Sequence, residues 1–276
     1  MKRIGLALGG GGARGLAHIV MLEAFDELGV RPHRLAGTSV GAIVAAAYAS
    51  GQSGRDIRAR FARMLLGPED SLWQTLGRRD LRRWFGVAQF NLGRGALMKG
   101  DRLRQLLLEE QVAADFASLV IPLKLVASDY WNWGQVVLDR GDLPLAVQAS
   151  VAVPGIFQPV PLEGRVLVDG GAVNPVPYDL WDDETDIRIG IDVLGQRGPG
   201  RSEVPGLFEA VFNTVQIMEN SILSAKLRHD PPDLLIRPQI EGVRMFEFYK
   251  ADAIYRSAGR AKDQLKRQLD TLLAPD

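Results

Sequence analysis

Short apolar runs alternate along this chain with longer segments in which apolar residues recur every three or four positions. Short runs of this kind suit strands buried on both faces, and the longer period suits helices laid over a sheet. Residues 2–8 (KRIGLAL) read as the first strand and residues 16–28 as the first helix. Leu35 and Ala36 lead into a small-residue helix at 42–49, which Gly51 stops, and residues 55–66 predict an amphipathic helix. Asp101 caps a further helix at 102–111. Strands follow at 122–128 and 135–138, adjacent to each other, then a short helix at 143–150. Residues 165–168, 187–193 and 233–236 predict three more strands, and 205–228 and 247–272 two long helices. This alternation implies an α/β fold, a mostly parallel sheet covered on both faces, with ligand sites at the carboxyl ends of its strands.

Composition narrows the chemistry. The 276 residues are 46% hydrophobic, enough for one large core, and we expect a single domain over 1–276. There is no cysteine, which removes disulfides and thiolate catalysis, and the histidines are three scattered ones, His18, His33 and His229. Metal-free, cofactor-free chemistry is the expectation. The apolar run after the basic start is too short for a signal-peptide core, and no stretch reaches the ~18 apolar residues of a membrane span, so a cytoplasmic protein is expected. Net charge is zero, yet residues 55–104 hold 12 Lys/Arg against 5 Asp/Glu. Such a segment is a solvated basic face or a contact for an anionic surface. Within it, residues 67–100 interleave Trp73, Trp84 and Phe85 with Arg78, Arg79, Arg82 and Arg83. That mixture suits a cap or lid at a lipid–water interface, and equally a satellite cluster on the main core.

Three stretches lie where strand ends are expected. Gly37-Thr38-Ser39-Val40-Gly41 is a Gly-x-Ser-x-Gly between a strand and a helix, the pattern of a nucleophile elbow, with Gly37 and Gly41 leaving room for a sharp bend and Ser39 as nucleophile. A glycine-rich turn capped by a serine reads alike. Residues 9–15 (GGGGARG) join the first strand to the first helix, and their backbone N–H groups make a ready anion site. Gly10, Gly12 and Gly15 also satisfy a dinucleotide fingerprint, but the acidic residue needed about 20 positions on is missing from residues 35–39. Asp169-Gly170-Gly171 places a carboxylate at a strand end, with Gly170 and Gly171 letting another loop approach; a turn aspartate looks similar.

Serine needs a base within hydrogen-bond reach. His229 follows Asp169, as a Ser-acid-His order requires, but sits in a polar helix end with nothing to recommend it, and His18 fits a structural, hydrogen-bonded role. The remaining arrangement is a dyad in which Asp169 contacts Ser39 directly, with partial burial raising its proton affinity. Backbone N–H groups of Gly10, Gly11, Gly12, Ala13, Arg14 and Gly15 would then supply the oxyanion hole, Arg14 either holding the loop or adding positive charge.

Taken together these residues resemble the patatin-like phospholipases. Gly10 to Gly15 looks like the family's oxyanion loop, Gly37 to Gly41 its elbow, residues 150–160 its proline-containing bend, and Asp169-Gly170-Gly171 its catalytic acid. The resemblance implies a three-layer α/β/α fold, no metal, and hydrolysis of phospholipid, lysophospholipid or other fatty-acyl esters through an acyl-enzyme. A lipid transacylase would use the same dyad, and a regulatory membrane-docking protein would keep the fold with incidental esterase activity. Peripheral contact with an anionic membrane is expected from the basic segment, and no nucleic-acid partner.

Overall fold

The computed structural model describes residues 2–66, 112–181, 184–194 and 204–274. The lid expected at 67–100 and the helix at 102–111 lie outside these residues. At the centre is β1 (Ile4–Leu8), buried along its whole length. It leads through a tight 3-10 turn, Gly12–Leu16, into α1 (Ala17–Glu27), so the first regular helix starts later than its apolar period suggests. Next come β2 (Arg34–Thr38), α2 (Val40–Ala49) and α3 (Gly54–Leu66). Then β3 (Leu123–Asp129) turns directly into β4 (Gly134–Leu138), and α4 (Leu143–Ser150) follows. A short strand the apolar pattern did not reveal, β5 (Val160–Leu162), pairs with β6 (Arg165–Asp169). The chain closes with β7 (Ile187–Ile191), α5 (Leu207–His229), β8 (Leu234–Ile236) and α6 (Ala251–Leu273).

The sheet order is β5-β6-β3-β2-β1-β7-β8, with β4 also on β3. β3, β2, β1, β7 and β8 are mutually parallel, whereas β4 and β6 run antiparallel to β3. Period-two alternation sorts β1 between two cores. Ile4, Leu6 and Leu8 join the larger one with α1, α2 and α6, while Ala7 meets Ala36, Tyr178, Trp181 and Leu223 on the opposite face. Small strand residues on that second face leave room for the Tyr178 and Trp181 rings. The result is the three-layer arrangement, helices on both sides of a mixed, mostly parallel sheet.

Helix chemistry matches position. All ten residues of α2 (VGAIVAAAYA) are buried, as befits a helix apolar on every side. α6 is amphipathic, burying Ile254, Ala258, Ala261, Leu265 and Leu269 at helical spacing while Lys262 and Lys266 reach Glu27 on α1. No helix of the described residues is long and apolar enough to cross a membrane.

Candidate active site

Ser39 is the hinge between β2 and α2. Its backbone sits at φ 54°, ψ −127°, a left-handed conformation that costs a non-glycine residue roughly 1–3 kcal/mol and persists only where the surroundings enforce it. One constraint is close packing: a Cβ on Gly41 would overlap the Leu8 carbonyl oxygen, so only glycine lets the first turn of α2 press on the end of β1. Gly37 lies under the same turn, against Gly41 O and Ala42. The other constraint is a hydrogen bond. Ser39 N–H donates to Ser150 Oγ at 3.0 Å, and the Ser150 hydroxyl donates on to Val126 O at 2.6 Å.

Strand register brings Asp169 to the serine. β4 occupies one edge of β3 along residues 125–129, so the other edge must serve two partners in succession. β2 takes its first half, with Thr38 opposite Val126, and β6 its second, with Asp169 opposite Ala127. The two strands therefore meet end to end, and the chain leaves one at Ser39 and the other at Gly170, whose missing side chain lets it lie on Val126 O. Asp169 N–H donates to Ala152 O in the proline-containing bend, Ser128 Oγ donates to Asp169 O, and Gly171 N–H donates to Oδ1 at 2.8 Å. Oδ2 is buried and makes no hydrogen bond of ordinary geometry. Burial pushes the carboxyl up to about 6, opposed by the neighbouring Ser39 side chain and the Gly171 N–H.

The glycine loop divides its donors. Gly10 N–H is committed to Pro175 O at 2.9 Å and Ala13 N–H to Met245 O at 2.7 Å. Neither is available to an oxyanion, which corrects the expectation that the whole of residues 10–15 would serve. Gly11 and Gly12 are the loop residues that line the cavity beside Ser39. Gly12 has φ 59° and a Cβ there would overlap Met245 O, so the loop can close against that carbonyl only as glycine. Gly15 lies against the Val40 side chain, and Arg14 is buried with its charge felt by Glu219. His18 is fully buried under the loop with Nε2 on Gly9 O, and burial lowers it to about 4, so it is neutral. His33 and His229 are exposed, and no histidine lines the cavity.

That cavity, about 210 Å³, is lined by Ser39, Asp169, Gly11, Gly12 and Glu219 and otherwise by apolar side chains. Val40, Ile43, Val153 and Phe157 contribute to that lining, as do Val211, Phe212 and Val215 of α5 with Met245, Phe246 and Phe248. Among the described residues no cluster of three acids or histidines is placed to hold a metal. Two site residues escaped the sequence reading. Ser150 was legible only as part of the bend. Glu219 left a faint signal, an acid on the stripe Val211, Val215, Glu219, Leu223, where an apolar residue is expected.

Comparison with known proteins adds the following. A family model for patatin-like phospholipases matches residues 6–181. An uncharacterised NTE family protein of Mycobacterium tuberculosis is 30% identical over 207 residues, covering 74% of this chain and 53% of that protein. A Candida glabrata protein named as a lysophospholipase is 26% identical over 280 residues, covering 92% of this chain but 15% of that protein. The chain thus spans about half the length of the mycobacterial relatives it matches. In fold it resembles the crystal structure of VipD from Legionella pneumophila, with TM-score 0.50 and 15% identity over 95% of this chain and 67% of that one.

Proposed function

The chain belongs to the patatin-like phospholipase family, and on that premise we propose that it is a serine lipid acyl hydrolase working through a Ser39–Asp169 dyad within one hydrolase domain. The carrying observation is the meeting of β2 and β6 on one edge of β3, which brings a strained serine and a buried carboxyl into a cavity whose remaining lining, Glu219 apart, is apolar or glycine. Asp169, raised to about 6, is ionised at neutral pH yet is a better base than an ordinary carboxylate.

Asp169 takes the Ser39 hydroxyl proton as Oγ attacks the ester carbonyl. The oxyanion forms toward the N–H groups of Gly11 and Gly12, each such donor being worth roughly 3 kcal/mol. Collapse of the tetrahedral intermediate expels the alcohol, which receives the proton from Asp169. Water then attacks the acyl-enzyme, Asp169 takes its proton, and the second collapse releases the fatty acid and returns the proton to Ser39. Phospholipid and lysophospholipid esters are the proposed substrates, because the walls offer an acyl chain apolar contacts. The lysophospholipase name of the Candida glabrata relative is consistent with this. We extend the reading to peripheral contact with anionic lipid, on the charge of residues 55–104 alone.

The test is hydrolysis of short- and long-chain p-nitrophenyl esters, with fluorophosphonate labelling, by wild type, Ser39→Ala, Asp169→Asn and His229→Ala. Activity lost in the first two and kept in the third supports the dyad. Loss in His229→Ala with Asp169→Asn unaffected would overturn it.

A further inference from the structure

The cavity holds a second carboxyl group that the dyad leaves unused. Glu219, on the inward side of α5, is 7% exposed, and its Oε2 makes no hydrogen bond. Its Oε1 fills the space that a Cβ on Gly171 would take, a point 3.0 Å from Asp169 Oδ1. The second glycine after Asp169 thus leaves room for another acid. Two buried carboxyls face each other across it, each with an oxygen lacking a hydrogen-bond partner.

Neighbouring buried carboxyls do not ionise together cheaply, so one holds its proton well into the range where the other has lost it. The charged groups facing Glu219 are Asp169 at the end of β6, Asp192 just beyond β7 and Arg14 of the glycine loop. Asp192 is paired with Arg237 at 2.8 Å. Lys226, two turns along α5, is held by Asp179, Asn174 Oδ1 and Val176 O. Among the described residues Arg14 is therefore the cation acting directly on Glu219, against two acids and burial. Burial first, and Asp169 next, push Glu219 up to about 8. Asp169 loses its proton earlier, while Glu219 is still neutral, and so feels no repulsion from it.

We propose that Glu219 is a positioning residue that stays protonated while Asp169 works as the base, and that its ionisation closes the site from the alkaline side. This rests on the hydrolase reading and deepens it. Protonated, Glu219 adds no charge to the cavity. Ionised, it sets a second negative charge beside Asp169, and the repulsion between the two carboxylates shifts Asp169 from the position in which it faces Ser39, which slows the attack.

The experiment is the pH dependence, from about pH 5 to about pH 10, of fluorophosphonate labelling and of short-chain ester turnover. It is run on wild type, Glu219→Gln and Glu219→Leu, the last in case glutamine does not fold at this site. Wild type should rise to a plateau and then fall about tenfold per pH unit above about 8. In both variants the alkaline fall should move upward by at least about one pH unit, whatever their plateau rate. An active wild type whose alkaline fall is absent, or is unchanged in the variants, overturns this inference alone, including the case where the variants are uniformly slower. A wild type that neither labels nor turns over at any pH overturns the hydrolase reading and this inference with it.

Discussion

The part of the cavity lining that comes from the sheet and the part that comes from α5 are built differently. On the sheet side, Ser39 is held by its own backbone N–H, and Asp169 by its N–H, its carbonyl and Oδ1. On the α5 side, contact is made mainly by side chains: Phe212 meets Phe246 edge to face at 5.3 Å, and Val211 is 51% exposed. The backbone tie from this side to the glycine loop is Ala13 N–H to Met245 O. The proposed dyad is thus set at strand ends, which admit few alternatives, whereas the α5 side presents apolar side chains that can be exchanged. The sheet wall should be intolerant to mutation and the helix wall permissive.

The sharpest break comes from the proposed dyad. Ser39→Ala and Asp169→Asn should each lower kcat/KM by at least about 10³-fold. Asp169→Asn should also be more stable than wild type near neutral pH. A carboxyl raised from 3.8 to about 6 leaves the folded state at full stability below the ordinary value, and that stability is lost as pH climbs through about 6. Removing the group recovers on the order of 3 kcal/mol above pH 6, seen as a Tm gap that opens between about pH 4 and about pH 6.

Ser150→Ala comes next. It strands the Ser39 N–H inside the protein and loosens the elbow, so kcat should fall roughly 10- to 100-fold, with KM little changed and stability lower by about 1–3 kcal/mol. Equal kcat in wild type and variant would mean that the elbow is held by packing alone. Wild-type activity should also fall about tenfold per unit below about pH 6 as Asp169 takes up its proton. The smallest effect belongs to the other wall. Phe212→Ala should leave short-chain esters within about threefold and change the long-chain to short-chain ratio by roughly 10-fold, the worth of a few apolar contacts. A loss equal to that of Ser150→Ala on every ester would erase the distinction between the walls.

The same distinction separates what could be read from sequence. β1, the elbow, the glycine loop and the strand ending at Asp169 are local: each is a short apolar run followed by residues whose backbone needs are written in their type, such as Gly41 against Leu8 O. β5 was hidden because three residues, Val160, Pro161 and Leu162, carry too little periodicity to stand out. Ser150 and Glu219 were hidden for another reason. Their roles depend on partners 111 positions away for Ser150 and on Asp169, across the glycine at 171, for Glu219.

The sequence by itself determined the α/β alternation, a bend at Ser39 that glycine must flank, and a carboxylate at the end of a later strand. Only the tertiary structure decided that β2 and β6 share one edge of β3 and so bring Ser39 to Asp169, that Gly10 and Ala13 turn their N–H groups to Pro175 and Met245, and that Glu219 fills the space beside Gly171. The physical reason is reach. Backbone conformation and apolar periodicity are set within a few residues along the chain, whereas hydrogen-bond partners and charge neighbours are set by which strand ends the fold places together.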